Sequence, residues 1–285
     1  MKTASLSTSP AVDAFRALHA SGCFVLPNPW DVGSAVYLAH LGFKALATSS
    51  AGLAFTRGLP DASSALSRDE TLAHIREIVT ATRLPVNADF QSGFADDAEG
   101  VAESVRLCVG TGVAGLSIED ASGDPAAPLY ERARAVERVA AARRAVDATG
   151  VPVVLTARCE AWLVGQRDPA HVAVDRLVAF AAAGADCLYA PGVRDPAIIA
   201  TIVKAVAPKP VNVLVGAPSP ELTRARLEDL GVRRISVGSA LARVAWGGFM
   251  RAATSIAETG TFEGLAGAAS FSELNALFAK LERAD

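Results

Sequence analysis

Eight short apolar runs recur along the chain, each separated from the next by a helical pattern, and few folds accommodate that rhythm. The runs are Cys23-Phe24-Val25-Leu26, Ala45-Leu46-Ala47-Thr48, Leu84 to Asp89, Gly115 to Asp120, Val153 to Arg158, Cys187 to Ala190, Val211 onward, and Arg234-Ile235-Ser236-Val237. Gly42, Gly112, Gly184 and Gly231 precede runs where a helix stops, as a left-handed C′ glycine does. Pro85, Pro152 and Pro210 open others, because a first strand position tolerates a residue with no amide to donate. Continuous apolar runs bounded in this way read as parallel strands buried on both faces. Eight of them alternating with helices within 285 residues favour an α/β fold, a (β/α)8 TIM barrel, over an open doubly wound sheet. Ala240 to Ile256 and Phe271 to Leu281 are two further helical patterns, more than a barrel needs. Residues 1–10 are expected to be a flexible tail, and 11–285 a single barrel domain with additional C-terminal helices available for a homodimer or homotetramer.

Composition narrows the function by exclusion. A formal charge of −3 without a basic block argues against nucleic acid, and no apolar stretch approaches the roughly 18 to 20 residues of a membrane span. The Ser/Thr-rich start lacks a signal-peptide core, so a cytoplasmic location is expected. Cys23, Cys108, Cys159 and Cys187 have no C-x-x-C spacing and read as reduced thiols. Neither G-x-G-x-x-G after the first strand nor a Walker A sequence occurs, which leaves a nucleotide fold little support.

In parallel barrels ligands bind at the carboxyl ends of the strands. The residues there are Trp30 and Asp31, Ser49 and Ser50, Asn87 and Asp89, Glu119 and Asp120, Arg158 and Glu160, Asn212, and Gly238 with Ser239. None is His or Lys. The four histidines fall in helical stretches, where a solvated role is expected, and the five lysines lie off the rim, which removes a Schiff-base mechanism and pyridoxal chemistry. Asp89 and Glu119 would converge on one site, and carboxylates without imidazole select a hard cation, Mg²⁺ with Mn²⁺ as the alternative. Strand-end acids also cap helices, so each has a structural reading beside the metal one. Arg158 has two readings as well: an ion pair with Glu119 or Glu160, or a planar fork for a substrate carboxylate or phosphoryl group.

With these residues in place the chain resembles the isocitrate lyase and phosphoenolpyruvate mutase superfamily over nearly its whole length. The segment Ser49 to Asp61 looks like the one in which a serine and the amides after it hold substrate and an aspartate stands near the metal. Asn87-Ala88-Asp89 falls on the family's Asp-x-Asp, Glu119-Asp120 on its Glu-Asp, and Arg158-Cys159-Glu160 on its Arg-x-Glu. The resemblance implies a Mg²⁺-bound 2-oxo or 2-hydroxy acid whose enolate is stabilised during cleavage or rearrangement of a C–C or C–P bond. It also implies a last helix exchanged between subunits. Ser49, Glu119 and Arg158 are then the candidate catalytic residues. Ser49, Ser50, Ala51, Gly52, Arg158 and Asn212 are the candidate substrate contacts, and Asp89, Asp61, Glu119 and Asn87 the candidate metal ligands.

Two departures from the family pattern stand out. Asn87 replaces an aspartate that ligates metal in relatives, leaving Asp89 as the main anchor. The loop Ala121 to Tyr130 has no Lys-x-Cys-Gly element, so cleavage of isocitrate or 2-methylisocitrate is not expected. A lyase or phosphonomutase-like enzyme acting on a small anionic oxo acid is the expectation. The alternatives are an oxaloacetate or phosphonopyruvate hydrolase or decarboxylase on the same site, and a barrel that binds an oxo acid without turnover.

Overall fold

In the computed structural model, which describes residues 9–62 and 65–282, eight parallel strands run in the order β1-β8-β7-β6-β5-β4-β3-β2. They are β1 (Phe24–Leu26), β2 (Leu46–Ala47), β3 (Val86–Asp89), β4 (Gly115–Glu119), β5 (Val154–Arg158), β6 (Cys187–Tyr189), β7 (Val211–Leu214) and β8 (Arg234–Ser236). The seam between β1 and β2 is closed by Ala47 N donating to Pro27 O at 3.0 Å. Asn28 reinforces it: its Nδ2 donates to Thr48 O, while its Oδ1 accepts from Val237 N and Gly238 N. The result is the (β/α)8 barrel with extra C-terminal helices.

The helices among the described residues are α1 (Pro10–Ala20), α2 (Val32–His40), α3 (Ser50–Thr56), α4 (Arg68–Ala81), α5 (Ala98–Val109), α6 (Arg132–Thr149), α7 (Pro169–Ala182), α8 (Pro196–Val206), α9 (Arg224–Asp229), α10 (Ala240–Thr259) and α11 (Phe271–Glu282). None is long and apolar enough to cross a membrane. A capping box opens α4, with Ser67 Oγ accepting from Glu70 N and Glu70 Oε2 accepting from Ser67 N. Gly42 has φ +83° after α2, the left-handed conformation a stop there requires.

Several expectations need correction. Pro10, placed by the sequence in a tail over residues 1–10, opens α1 instead, and residues 1–8 of that segment lie outside the described residues. The helix before β8, α9, begins at Arg224, where Thr223 Oγ1 caps Arg226 N, rather than at the Ser-Pro pair 219–220 that has the form of a helix start. The connection after β2 holds the seven-residue helix α3, too short to give a periodic signal. Two histidines are not solvated: His19 is largely enclosed by the barrel floor and His74 is buried.

Side chains alternate between the helix-facing and inward faces of each strand. Outward residues such as Leu116, Ile118, Leu155, Ala157 and Leu188 join the main apolar core. Phe15 of α1 plugs the amino-terminal end of the barrel, packing edge-on against Phe24 and His19. Inward residues are mostly small or polar, and their register carries the site. Glu119 pairs with Arg158, Arg158 with Tyr189, Tyr189 with Asn212, and Asn212 with Arg234. Because strands in a closed barrel are staggered, this one row starts at the last residue of β4 and reaches the first residue of β8. It descends from rim to floor.

Candidate active site

Three carboxylates surround the Arg158 guanidinium at the carboxyl rim. Its Nη1 lies 2.7 Å from Asp89 Oδ1 and 3.2 Å from Glu119 Oε2, and its Nη2 lies 2.9 Å from Glu160 Oε1. The Tyr189 ring lies 5.1 Å from its Cζ. The ion-pair reading of Arg158 is therefore realised in full, with Asp89 as an added partner.

The capping alternative for the strand-end acids holds elsewhere. Asp31, Asp97, Asp168 and Asp195 each accept from a backbone amide at the start of α2, α5, α7 and α8. Asp89 and Glu119 do not cap the helices that follow them, since Asp97 and Glu131 occupy those positions. Asp120 is a structural brace. Its Oδ1 accepts from Glu160 N, and its Oδ2 pairs with Arg176 at 3.0 Å, tying the ends of β4 and β5 to α7.

The segment expected to hold substrate is already engaged with the protein. Asp89 Oδ2 accepts from both the amide and the hydroxyl of Ser50, each at 3.0 Å. Ser49 Oγ accepts from Gly52 N and caps α3. A Cβ on Gly52 would stand 2.9 Å from Trp30 Cβ, so packing alone demands glycine there. Asn212 lies deeper than a rim contact, buried and bonded to Arg234 and Ser236.

Burial, and secondarily the neighbouring acids Glu160, Asp89 and Asp120, push the Glu119 carboxyl up to about 8 despite the opposing pull of Arg158. Asp61 is raised by desolvation and then by the facing charge of Asp89, with Arg158 opposing. Asp89, Glu119 and Glu160 thus share one guanidinium, and Asp61 adds a fourth carboxyl facing Asp89. A divalent cation would relieve that excess, and every donor present is oxygen, which fits a hard ion. Asn87 Oδ1 and Gln91 Oε1, both buried, have no hydrogen-bond partner. Among the described residues no three acids, histidines or cysteines already converge as ligands, because Arg158 stands between Asp89 and Glu119.

Two adjoining cavities open on this cluster. The inner one, about 170 Å³, is lined by Ser49, Ser50, Ala51, Asp61, Asn87, Asp89, Arg158, Tyr189, Asn212, Arg234 and Ser236, among others. The outer one, about 510 Å³, is lined by Ser50, Asp61, Gln91, Glu119, Arg158 and Glu160 together with Gly123, Asp124, Pro125 and Pro128 of the loop after β4. That loop could move a proton through Ser122, Asp124 or Tyr130. Ser122 Oγ donates to Ala127 O, and Tyr130 OH donates to Asp96, so Asp124 is the one of the three that lines the cavity. All four cysteines are buried free thiols, and burial raises Cys108 and Cys159 far above the range of a usable acid.

Sequence reasoning missed Arg234, Tyr189, Gln91 and Asn28. Gln91 adopts φ +47° just after β3, and its carbonyl accepts from Glu119 N. Strain of this kind concentrates at functional sites.

A barrel with an acidic carboxyl rim defines the class, and comparison gives the family. The family model for phosphoenolpyruvate phosphomutase matches residues 15–257, and the chain belongs to that family. A candidate lyase/mutase from Burkholderia cenocepacia J2315 is 48% identical, with 95% of this chain and 97% of that one covered at a TM-score of 0.91. Oxaloacetate decarboxylase of Chromohalobacter salexigens is 34% identical over 79% of this chain and 78% of its own. For 2-methylisocitrate lyase of Escherichia coli K12 the figures are 30%, 68% and 66%. These relatives are enzymes of the lyase and mutase type.

Proposed function

We propose that this protein is a Mg²⁺-dependent enzyme that cleaves or rearranges a C–C or C–P bond of a small 2-oxo or 2-hydroxy acid. The observation that carries the reading is the cluster of Asp61, Asp89, Glu119 and Glu160 around Arg158, an excess of hard oxygen donors at the barrel rim. Asp89 would anchor the ion, Asp61 and Glu119 would reach it mostly through water, and Asn87 would add a neutral oxygen. Once bound, the ion supplies positive charge against the oxyanion that develops as a bond α to the carbonyl breaks. Ser49, Ser50, Ala51 and Gly52, which adjoin Asp89 through the Ser50 amide and hydroxyl, would position the substrate. Arg158 is held aligned by Asp89, Glu119 and Glu160, and its planar fork would face the ligand's oxygens.

The loop 121–130 has no Lys-x-Cys-Gly element, which favours three- or four-carbon substrates over a tricarboxylate. The oxaloacetate decarboxylase relative favours the same size range. The apolar face on α10 and α11, with Phe249 at 61%, Met250 at 59% and Phe271 at 86% exposure, supports a homodimer or homotetramer, because so much exposed apolar surface is costly in a monomer.

Crystals soaked with Mg²⁺ and oxalate, a mimic of the pyruvate enolate, test the reading. The expected result is a cation on Asp89 with oxalate against Arg158 and the Ser50 segment. Oxalate bound elsewhere, or no cation at Asp89, would refute it.

A further inference from the structure

The guanidinium of Arg234 lies at the floor of the inner cavity, 2% exposed, and its bonds go to neutral groups. Nε donates to Asn212 Oδ1 at 2.9 Å, Nη2 to Thr156 Oγ1 at 3.0 Å, and Nη1 lies 3.4 Å from His19 Nε2. His19 Nδ1 sits 2.7 Å from Phe15 O, so that nitrogen carries the proton and Nε2 accepts. No carboxylate of the described residues comes within 4 Å of Arg234, whereas Arg158 has three and the buried Arg176 has Asp120.

A buried guanidinium stays charged, and a buried charge without a counter-charge is costly unless a ligand supplies one. The cavity is accordingly polarised, with acids in excess at its mouth and an uncompensated cation at its base. We infer that Arg234 is the recognition site for an anionic end group of the ligand, a carboxylate or a phosphonate, which enters the barrel interior while the metal-directed part remains at the rim. This deepens the proposed function and rests on it for the placement of the rest of the ligand. Size agrees, since the inner cavity of about 170 Å³ is much smaller than the outer one of about 510 Å³. The floor admits a compact end group. Asn212 is a positioning residue: it accepts from Arg234 Nε and donates to Ser236 Oγ at 2.9 Å, which fixes the guanidinium against the barrel wall.

The deciding experiment is calorimetric titration of oxalate into the metal-free protein in EDTA, for wild type, Arg234→Met and Arg234→Lys. Oxalate should bind wild type, bind Arg234→Met at least tenfold more weakly, and bind Arg234→Lys with intermediate affinity. Equal affinity in wild type and Arg234→Met, or no oxalate binding by wild type, would overturn the inference. If Arg234→Met does not fold, thermal unfolding of wild type with oxalate and with its neutral diamide oxamide decides. Stabilisation by oxalate alone supports the inference, and equal effects overturn it. Mg²⁺ titrations keep the two ideas apart: loss of Mg²⁺ binding bears on the rim acids, whereas Arg234→Met should bind Mg²⁺ as wild type does.

Discussion

Arg158 Nη1 meets Asp89 Oδ1 at 2.7 Å across the barrel rim, although these residues lie on β5 and β3 with β4 between them. Asp89 is therefore shared between a guanidinium, the Ser50 segment and, in the proposed chemistry, a cation. Replacing it by alanine removes one of three acids from Arg158 but leaves Glu119 and Glu160 in place. The fold should persist while Mg²⁺ binding is lost, and calorimetry on Asp89→Ala checks both. Unchanged Mg²⁺ affinity would refute the assignment.

Arg158→Lys keeps the charge and loses the planar fork that faces Asp89, Glu119 and Glu160 together. Affinity for oxalate in the presence of Mg²⁺ should fall by about 1 to 3 kcal/mol, the range of charged hydrogen bonds. The same affinity in both proteins would leave Arg158 a purely structural role.

Gly52 has Trp30 Cβ where its own Cβ would be, at 2.9 Å. Gly52→Ala should therefore destabilise by about 1 to 3 kcal/mol through overpacking. Thermal unfolding reads this as a drop of about 2 to 4 °C per kcal/mol. An unshifted midpoint would mean that the Trp30 turn yields easily.

His19 gives a pH dependence of defined sign. Burial first, then the charges of Arg234 and Arg16, lower it to about 3, with the bond to Phe15 O opposing. Between pH 6.5 and 3 the unfolded chain binds a proton that the folded chain refuses, so the contribution present above 6.5 is lost as pH falls. His19→Gln should flatten the acid side of a plot of melting temperature against pH. A slope unchanged from wild type would show that another group governs it.

The exposed apolar residues of α10 and α11 predict an oligomer at micromolar concentration. Light scattering that returns a clean monomer would contradict that assembly.

The barrel is legible in the sequence because Gly and Pro punctuate the strands, and the rim acids because they end apolar runs. What lies inside the barrel is not. Arg234 follows Arg233 at the start of a strand, and both look like surface residues. Only the register that stacks Asn212 against Arg234 turns one of them inward. Asn212 is recognisable as a site residue but sits deeper than a strand end suggests, because barrel stagger lowers β7 and β8 relative to β4. The amides after Ser49 are legible as a group, yet their present partners, Asp89 and Ser49 itself, depend on side-chain geometry that spacing does not encode.

The most direct measurement is steady-state turnover of oxaloacetate, phosphonopyruvate and 2-methylisocitrate with and without Mg²⁺. Mg²⁺-dependent turnover of a three- or four-carbon oxo acid or its phosphono analogue is expected, with negligible cleavage of 2-methylisocitrate. Cleavage of 2-methylisocitrate at ordinary enzyme rates, on the order of 1 s⁻¹ or more, or turnover unaffected by removing the metal, would contradict the proposed chemistry.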